Sequence, residues 1–502
     1  MTIYADLESL INSMSKSEKR HFNIYAARHV KGSKNVYMKL FEHIEKKKKY
    51  DVAAIQKAFA GESFLKWLPA VNNYLYTLIL KSLRVYHSNK TVSLRIKEML
   101  EYVEILHGKT LYAQCEKVIR KAKRLAQQYE MPLEMMECLK WEDLTTVELG
   151  QIKNTYSVQK EQEDALAKHT NFLHFQGINT RLFSLVSEEG RFRRDAHFWK
   201  KLEEMMKSKL LDSEKNALSF SARTNFYNVY SIYHRTKGNA EKSHYYRKKQ
   251  LDLWDSNRLQ INENKMAYIS TMCNLIIGTA ELKRHDEALQ MIYTLRALPL
   301  KTPNIANRIF TFSYSMELAI YNETGSFEKG IKIISYVEEK LQDVTGMREV
   351  AKLSLYLNIM TTHFGAANYK KALFWVNKIL NDEHERRIDI YYFARIFSLI
   401  VHFEMGNKEL LEYISKSSHR FLDKKERIYK FETLIFSFFK KNLTNDPQKN
   451  LTNELKKLWI ALMNLEKDPQ EKKIFEYFDF ISWVESKIQN RSFADIVREK
   501  VK

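Results

Sequence analysis

Through most of the chain apolar residues return every three or four positions. They do so at Ala288, Leu289, Ile292 and Leu295, and again at Ile331, Ile334, Val337 and Leu341. That spacing places one stripe of an α-helix against a core. Short loops separate such stretches, and five of them align without gaps: Gly238 to Ser243, Lys283 to Ala288, Gly325 to Gly330, Ala367 to Ala372 and Gly406 to Leu411. Most begin with a small or turn-forming residue and end with a small one. A residue able to turn left-handed ends one helix, and a small residue five positions later lets the next helix pack closely. Each loop therefore predicts an antiparallel helical hairpin. The closing residues Ser243, Ala288, Gly330, Ala372 and Leu411 lie 45, 42, 42 and 39 apart, so the hairpins repeat with a drifting period.

The pattern extends upstream. Gly108 to Ala113 has the same small-to-small step, followed by Val118, Ile119, Ala122 and Leu125, and residues 91–200 read as further hairpins. Nearer the start, Ser15 and Glu18 have the spacing of a capping box that opens a helix through Phe22, Ile24 and Tyr25. Helices are expected from Val36 to Lys48, Asp51 to Phe59 and Phe64 to Tyr86. After Phe421 the repeat blurs into helices around Ile428 to Phe439, Leu451 to Leu465 and Lys473 to Ile488, as expected of a segment shielding the end of a stack. The domain reading is a basic helical head (1–90), irregular hairpins (91–220), regular repeats (221–425) and C-terminal capping helices (426–502).

The repeats resemble the tetratricopeptide motif: Tyr321, Gly325 and Gly330 match its aromatic, turn and small positions. The resemblance covers roughly residues 220–425. The period of about 42 exceeds the ~34 usual in that family, so the helices are expected to be longer, and Leu318 and Met360 stand where the family favours small residues. The whole chain is similar to bacterial tetratricopeptide-like proteins with a helical head. The resemblance implies an all-α, right-handed superhelix of helical hairpins whose concave groove, lined by the first helices, holds a protein or peptide segment.

Composition agrees with long helices. Gly (13) and Pro (6) are scarce in 502 residues, while 28 Tyr and 28 Phe supply bulky packing surface. The opening residues lack the basic and apolar regions of a secretory leader, and no apolar run reaches the ~18 residues of a membrane span. A cytoplasmic protein without membrane partners is expected. Cys115, Cys138 and Cys273 are too far apart for a metal or redox pair and read as small buried hydrophobes.

Charge adds a second theme. There are 82 Lys and Arg against 61 Asp and Glu, a net +21, and residues 1–130 alone hold 24 against 12. A basic head favours acidic partners. Its densest run, Lys46, Lys47, Lys48 and Lys49, is either a contact for phosphate or an acidic surface or a solvated helix end; Lys31, Lys34 and Lys39 would enlarge it. A DNA-reading helix is disfavoured, because the strongest helix of the head presents Leu65, Leu68, Val71, Leu75, Leu78 and Ile79, a face that demands burial.

No motif identifies a reaction. Gly108-Lys109-Thr110 ends like a phosphate loop, but the earlier glycine is replaced by Val103. Asp382-Glu383-His384-Glu385 lacks the spacing of a metal set. No cofactor or catalytic residue is expected. The candidate groove residues are Asn228, Arg235, Asn274, Asn322 and Asn358: the asparagines, each both donor and acceptor, either form a ladder that holds a peptide backbone whatever its sequence or are ordinary solvated or hairpin-stabilising amides. The functional expectation is a non-enzymatic protein- or peptide-binding scaffold. The alternative is association with nucleic acid or the ribosome through the basic head.

Overall fold

A computed structural model describes residues 3–29, 36–88, 90–151, 155–189, 196–299, 302–343, 347, 349–381, 388–425, 428–444, 451–468 and 471–501. The described residues are all-α, with no strand among them. They form two compact units, Met1–Thr170 and Asn171–Lys502, and the division falls within one long helix.

The first unit begins with α1 (Ile3–Ser13), α2 (Lys16–His29), α3 (Val36–Lys47), α4 (Val52–Ala58) and, after a 3-10 turn, α5 (Leu68–His87). Leu7 and Ile11 of α1 join Phe22, Phe41, Ile44, Leu75 and Ile79 in one core. Helix α1 is additional to the expected elements. The capping box forms as its spacing predicts: the Ser15 amide donates to Glu18 Oε2 (2.7 Å), and the Glu18 amide donates to Ser15 Oγ (3.3 Å). Glu18 also reaches His87 Nε2 at 2.7 Å, tying α2 to the end of α5.

Three helices follow, α6 (Val92–Gly108), α7 (Tyr112–Gln128) and α8 (Pro132–Glu148). The α6–α7 loop is out of register with the expected one by two residues. Gly108 is still helical, Thr110 takes the left-handed conformation (φ 59°), and the buried small residue five positions on is Cys115, while Ala113 is exposed. Burial of the Cys115 side chain sets the register, overriding glycine's preference for the turn. Helix α9 (Thr155–Ser184) then runs unbroken for 30 residues where hairpins are expected.

In the second unit, α10 (Ala196–Met206) precedes the repeats. The successive pairs are α11 (Phe220–Thr236) with α12 (Ala240–Asp255), then, after the short α13 (Arg258–Glu263), α14 (Lys265–Glu281) with α15 (His285–Ala297). Next come α16 (Pro303–Glu323) with α17 (Phe327–Asp343), α18 (Glu349–Gly365) with α19 (Tyr369–Leu380), α20 (Ile388–Glu404) with α21 (Lys408–Lys424), and α22 (Lys430–Thr444) with α23 (Leu451–Leu465). Each helix packs on its sequence neighbours, giving a solenoid-like array.

All five aligned loops close alike. Gly238, Lys283, Gly325, Ala367 and Gly406 have φ between 57° and 77°. One residue later an amide donates back to the carbonyl five positions earlier: Asn239 to His234, Arg284 to Thr279, Ser326 to Tyr321, Asn368 to His363 and Asn407 to His402, at 2.8–3.2 Å. This is the Schellman closure, which satisfies carbonyls that a helix end leaves unpaired. Lys283 and Ala367 adopt it without being glycine, so the loop geometry is imposed by the pair of helices. The residue five positions on, small in all but Leu411, is buried in every one of these hairpins.

The last helices do more than continue the stack. After a 3-10 turn, α24 (Phe480–Gln489) and α25 (Phe493–Val501) fold back over earlier hairpins. Phe478 meets Phe364 and Phe397 edge-on at 5.2 and 5.0 Å, and Phe480 meets Phe393 and Phe431. Trp483 donates from Nε1 to Glu404 (2.7 Å), with Lys487 on the same carboxylate at 2.6 Å. Farther on, Phe493 stacks on Phe327 at 5.6 Å, and Arg498 holds Glu328. The C-terminal segment thus touches the α20, α18 and α16 hairpins in turn.

Gly365, at the end of α18, is demanded by this packing. A Cβ there would lie 2.2–2.4 Å from ring carbons of the fully buried Phe327. Gly365→Ala is expected to lose about 2 kcal/mol from overpacking despite alanine's better helix propensity. Denaturant unfolding checks this; equal or greater stability would show that Phe327 has room to move.

Candidate functional site

The first helix of each hairpin carries the candidate groove residues, and the structure shows what their side chains touch. Asn228 donates to Asn179 Oδ1 (2.8 Å), while Asn179 donates to Asn225 Oδ1 (2.9 Å), so α9 and α11 are stitched by amides. Arg235 pairs with Glu281 at 2.5 Å, joining α11 to α14. Asn322 donates to the Asn358 carbonyl (3.0 Å) and accepts from Thr362 (2.7 Å), while Asn358 donates to the Ser315 carbonyl (2.9 Å) and hydroxyl (3.0 Å). Four of the five side chains therefore bridge successive first helices. An amide suits this task because its donor and acceptor can serve two backbones at once. Asn274 is half-buried in α14 and makes no side-chain hydrogen bond among the described residues.

Beside this row lies a polar cluster between α15 and α16. Arg296 pairs with Glu317 at 2.6 Å and its guanidinium sits 3.7 Å from the Tyr314 ring centroid. Tyr321 donates to Glu317 Oε1 at 2.9 Å. Burial, with the hydroxyl tied to Tyr293 and Glu317, pushes the Tyr321 phenol far up from its ordinary value. Tyr321 thus anchors a buried carboxylate. Both phenols donate to Glu317 Oε1, while Oε2 is met by Arg296 at ion-pair distance without a hydrogen bond, an arrangement that ties α15 to α16.

Buried Arg247 in α12 plays a similar part. Its Nε donates to Ser231 Oγ (3.0 Å), and burial lowers its pKa to about 10. Gly278 of α14 leaves it space, since a Cβ would approach Nη1 to 2.6 Å.

A cavity of about 640 Å³ opens between α9 and α10, lined by Leu173, Ile178 and Met205 with Arg181, Lys201 and Lys207 against Glu204. No group of His, Cys, Asp or Glu among the described residues is placed to hold a metal. Asp382 to Glu385 lie outside the described residues. Burial pushes the Cys138 and Cys273 thiols up to about 12, and Cys115 also rises, so all three are unreactive core groups.

Comparison with protein-family models, curated proteins and solved structures finds no match. What the molecule does must be read from its own surfaces.

On the head, Lys46, Lys47, Lys48 and Lys49 are all exposed at the end of α3, and no carboxylate pairs with them among the described residues. Lys48 is left-handed (φ 54°), and its carbonyl accepts from Asn12 (3.1 Å). Lys39 does not extend this patch freely, since Glu62 holds it at 2.9 Å; Lys31 and Lys34 lie outside the described residues. The Gly108-Lys109-Thr110 stretch is the α6–α7 hairpin turn. No helix among the described residues is long and apolar enough to cross a membrane.

Sequence reasoning missed the most elaborate surface contact, the fold-back of α24 and α25. Its signal was present: Phe475, Tyr477, Phe478, Phe480, Trp483 and Phe493 crowd the segment. Aromatics at that density require a partner surface.

Proposed function

We propose that this chain is a non-catalytic, tetratricopeptide-like scaffold that holds a segment of a partner protein on the first-helix side of its hairpins, working in a reducing cytoplasm. One observation carries the reading. The array already grips a helical segment, α24 and α25, through contacts repeated at the turn ends of successive hairpins: Glu404 at the end of α20, Phe364 at the end of α18, and Gly325 with Glu328 at the α16–α17 turn. Asn228, Arg235 and Asn274 belong to α11 and α14, earlier hairpins than these. There the bridging side chains set the spacing between helices, and Asn274 offers a free amide to a visiting backbone.

A photoreactive residue at Asn274 is expected to crosslink, in cells, to one defined protein segment, whereas the same residue at exposed Tyr245 on the second helix α12 captures none. Equal labelling at both positions would sink the reading.

The exposed, unpaired Lys46 to Lys49 favour a second reading, engagement of nucleic acid or another polyanion by the head. It expects capture that falls steeply with salt and is lost in a Lys46 to Lys49 alanine variant.

A further inference from the structure

Helices α24 and α25 are held differently. Trp483, Phe480 and Val484 of α24 are completely buried. Helix α25 has nine residues, too few to be stable alone, so its order depends on the surface beneath it and on α24, to which Lys500 pairs at Glu485 (3.9 Å). It is joined to α24 through Asn490, in the left-handed conformation (φ 50°), Arg491 and Ser492.

The surface under α25 is specific. Its backbone passes directly over the α16–α17 turn, where a Cβ on Gly325 would lie 3.0 Å from the Ala494 carbonyl oxygen and 3.1 Å from the Arg498 nitrogen. Arg498 donates from Nε to the Gly325 carbonyl (3.0 Å) and from one terminal nitrogen to both Glu328 oxygens (2.6 and 2.7 Å). Phe493 stacks on Phe327 and meets Phe364 edge-on at 5.9 Å. Ala494, Ile496 and Val497 supply the buried apolar stripe. Yet the closing ion pair is wet: the Glu328 side chain is 67% exposed and that of Arg498 is 38%. A pair in that setting fixes the orientation of α25 without locking it in place.

A rigid turn that reads an arginine, a close backbone passage and an aromatic slot, covered by a short helix that cannot stand alone, is a helix-recognition site with an exchangeable occupant. We propose that the α16–α17 turn is a binding site for a partner's amphipathic helix with the pattern of α25, aromatic-small-x-aliphatic-aliphatic-arginine, and that the partner enters by displacing α25. The proposal rests on the scaffold reading and names the partner's chemistry.

The test uses the full chain with Arg498→Glu, which sets two carboxylates against each other and lifts α25. A fluorescein-labelled peptide of residues 490–502 is titrated by anisotropy. It is expected to bind the variant at least about tenfold more tightly than the wild type, whose own α25 competes, a gap of about 1.4 kcal/mol. Adding Gly325→Ala to the variant is expected to weaken peptide binding at least about tenfold, because a methyl group there meets the helix backbone at the Ala494 carbonyl and the Arg498 nitrogen. Equal binding by variant and wild type would overturn the proposal.

Hydrogen exchange on the unaltered chain covers the case in which Arg498→Glu fails to fold. Amides of α25 are expected to exchange about tenfold or more faster than those of α24, whereas exchange of both at one rate would make α25 a fixed cap and overturn the proposal. Failure here with a positive Asn274 crosslink leaves the scaffold reading standing; loss of that crosslink alone removes the reading and not the exchange result.

Discussion

Trp483→Ala is expected to be the most destabilising single substitution considered, costing about 4–5 kcal/mol in denaturant unfolding of the second unit. The indole is fully buried and packs edge-on against Phe403 at 6.0 Å. Its removal leaves a cavity the size of a bicyclic ring, and truncations of this kind cost ~3–5 kcal/mol. A second loss adds to it. The Glu404 side chain is only 6% exposed and would keep Lys487 but forfeit the indole N–H, and a buried carboxylate deprived of a donor is destabilised further. Trp483→Phe separates the two effects: it keeps most of the volume, loses the hydrogen bond, and is expected to cost about 2 kcal/mol. A loss below about 2 kcal/mol for the alanine variant would mean that α24 is a loosely held appendage. Its integration into the core, and the contrast with α25, would then be wrong.

The second large effect is a pH dependence centred on His363. This side chain is 2% exposed on α18, and neither ring nitrogen has a hydrogen-bond partner among the described residues. Burial lowers its pKa from 6.5 to about 4, with the Lys371 charge adding to the same direction. Because the folded value lies below the unfolded one, the unfolded chain binds more protons between them. The contribution to stability is therefore complete above pH 6.5 and is lost as pH falls toward 4. A shift of that size corresponds to about 3 kcal/mol.

Glu432 works in the opposite sense. Burial raises its carboxyl to about 7, so its contribution is present below the ordinary carboxylate value and is lost as pH rises through 7. Comparison of the wild type with His363→Leu isolates the histidine. The stability difference between them is expected to move by about 3 kcal/mol in favour of the leucine variant between pH 7 and pH 4. A constant difference across that range would show that His363 reaches water or a partner.

Much of the fold was legible because local physics determines it. The three-and-four spacing of apolar residues specified the helices. The six-residue loops specified where hairpins close, down to the left-handed position, which Gly238, Gly325 and Gly406 occupy as expected. The capping box at Ser15 and Glu18 formed because its two bonds need only four consecutive residues. Where local preference and packing competed, packing won. The α6–α7 turn shifted to Thr110 so that Cys115 rather than Ala113 became buried, and α9 stayed a single helix where hairpins were expected.

The candidate site was legible only as residue types. Asparagines on the first helices are visible in the chain, but Asn322 and Asn358 meet across 36 positions and Asn228 reaches Asn179 across 49. No window of sequence contains both partners. The return of Arg498 to Gly325 spans 173 positions. A helical period says which face is buried and nothing about which distant segment buries it. The sequence by itself therefore determined the helices, their hairpin closures and the bias of positive charge toward the head. Only the tertiary structure decided what those faces hold, because pairing across long separations depends on the completed shape of both partners, and neither shape exists until the hairpins have packed.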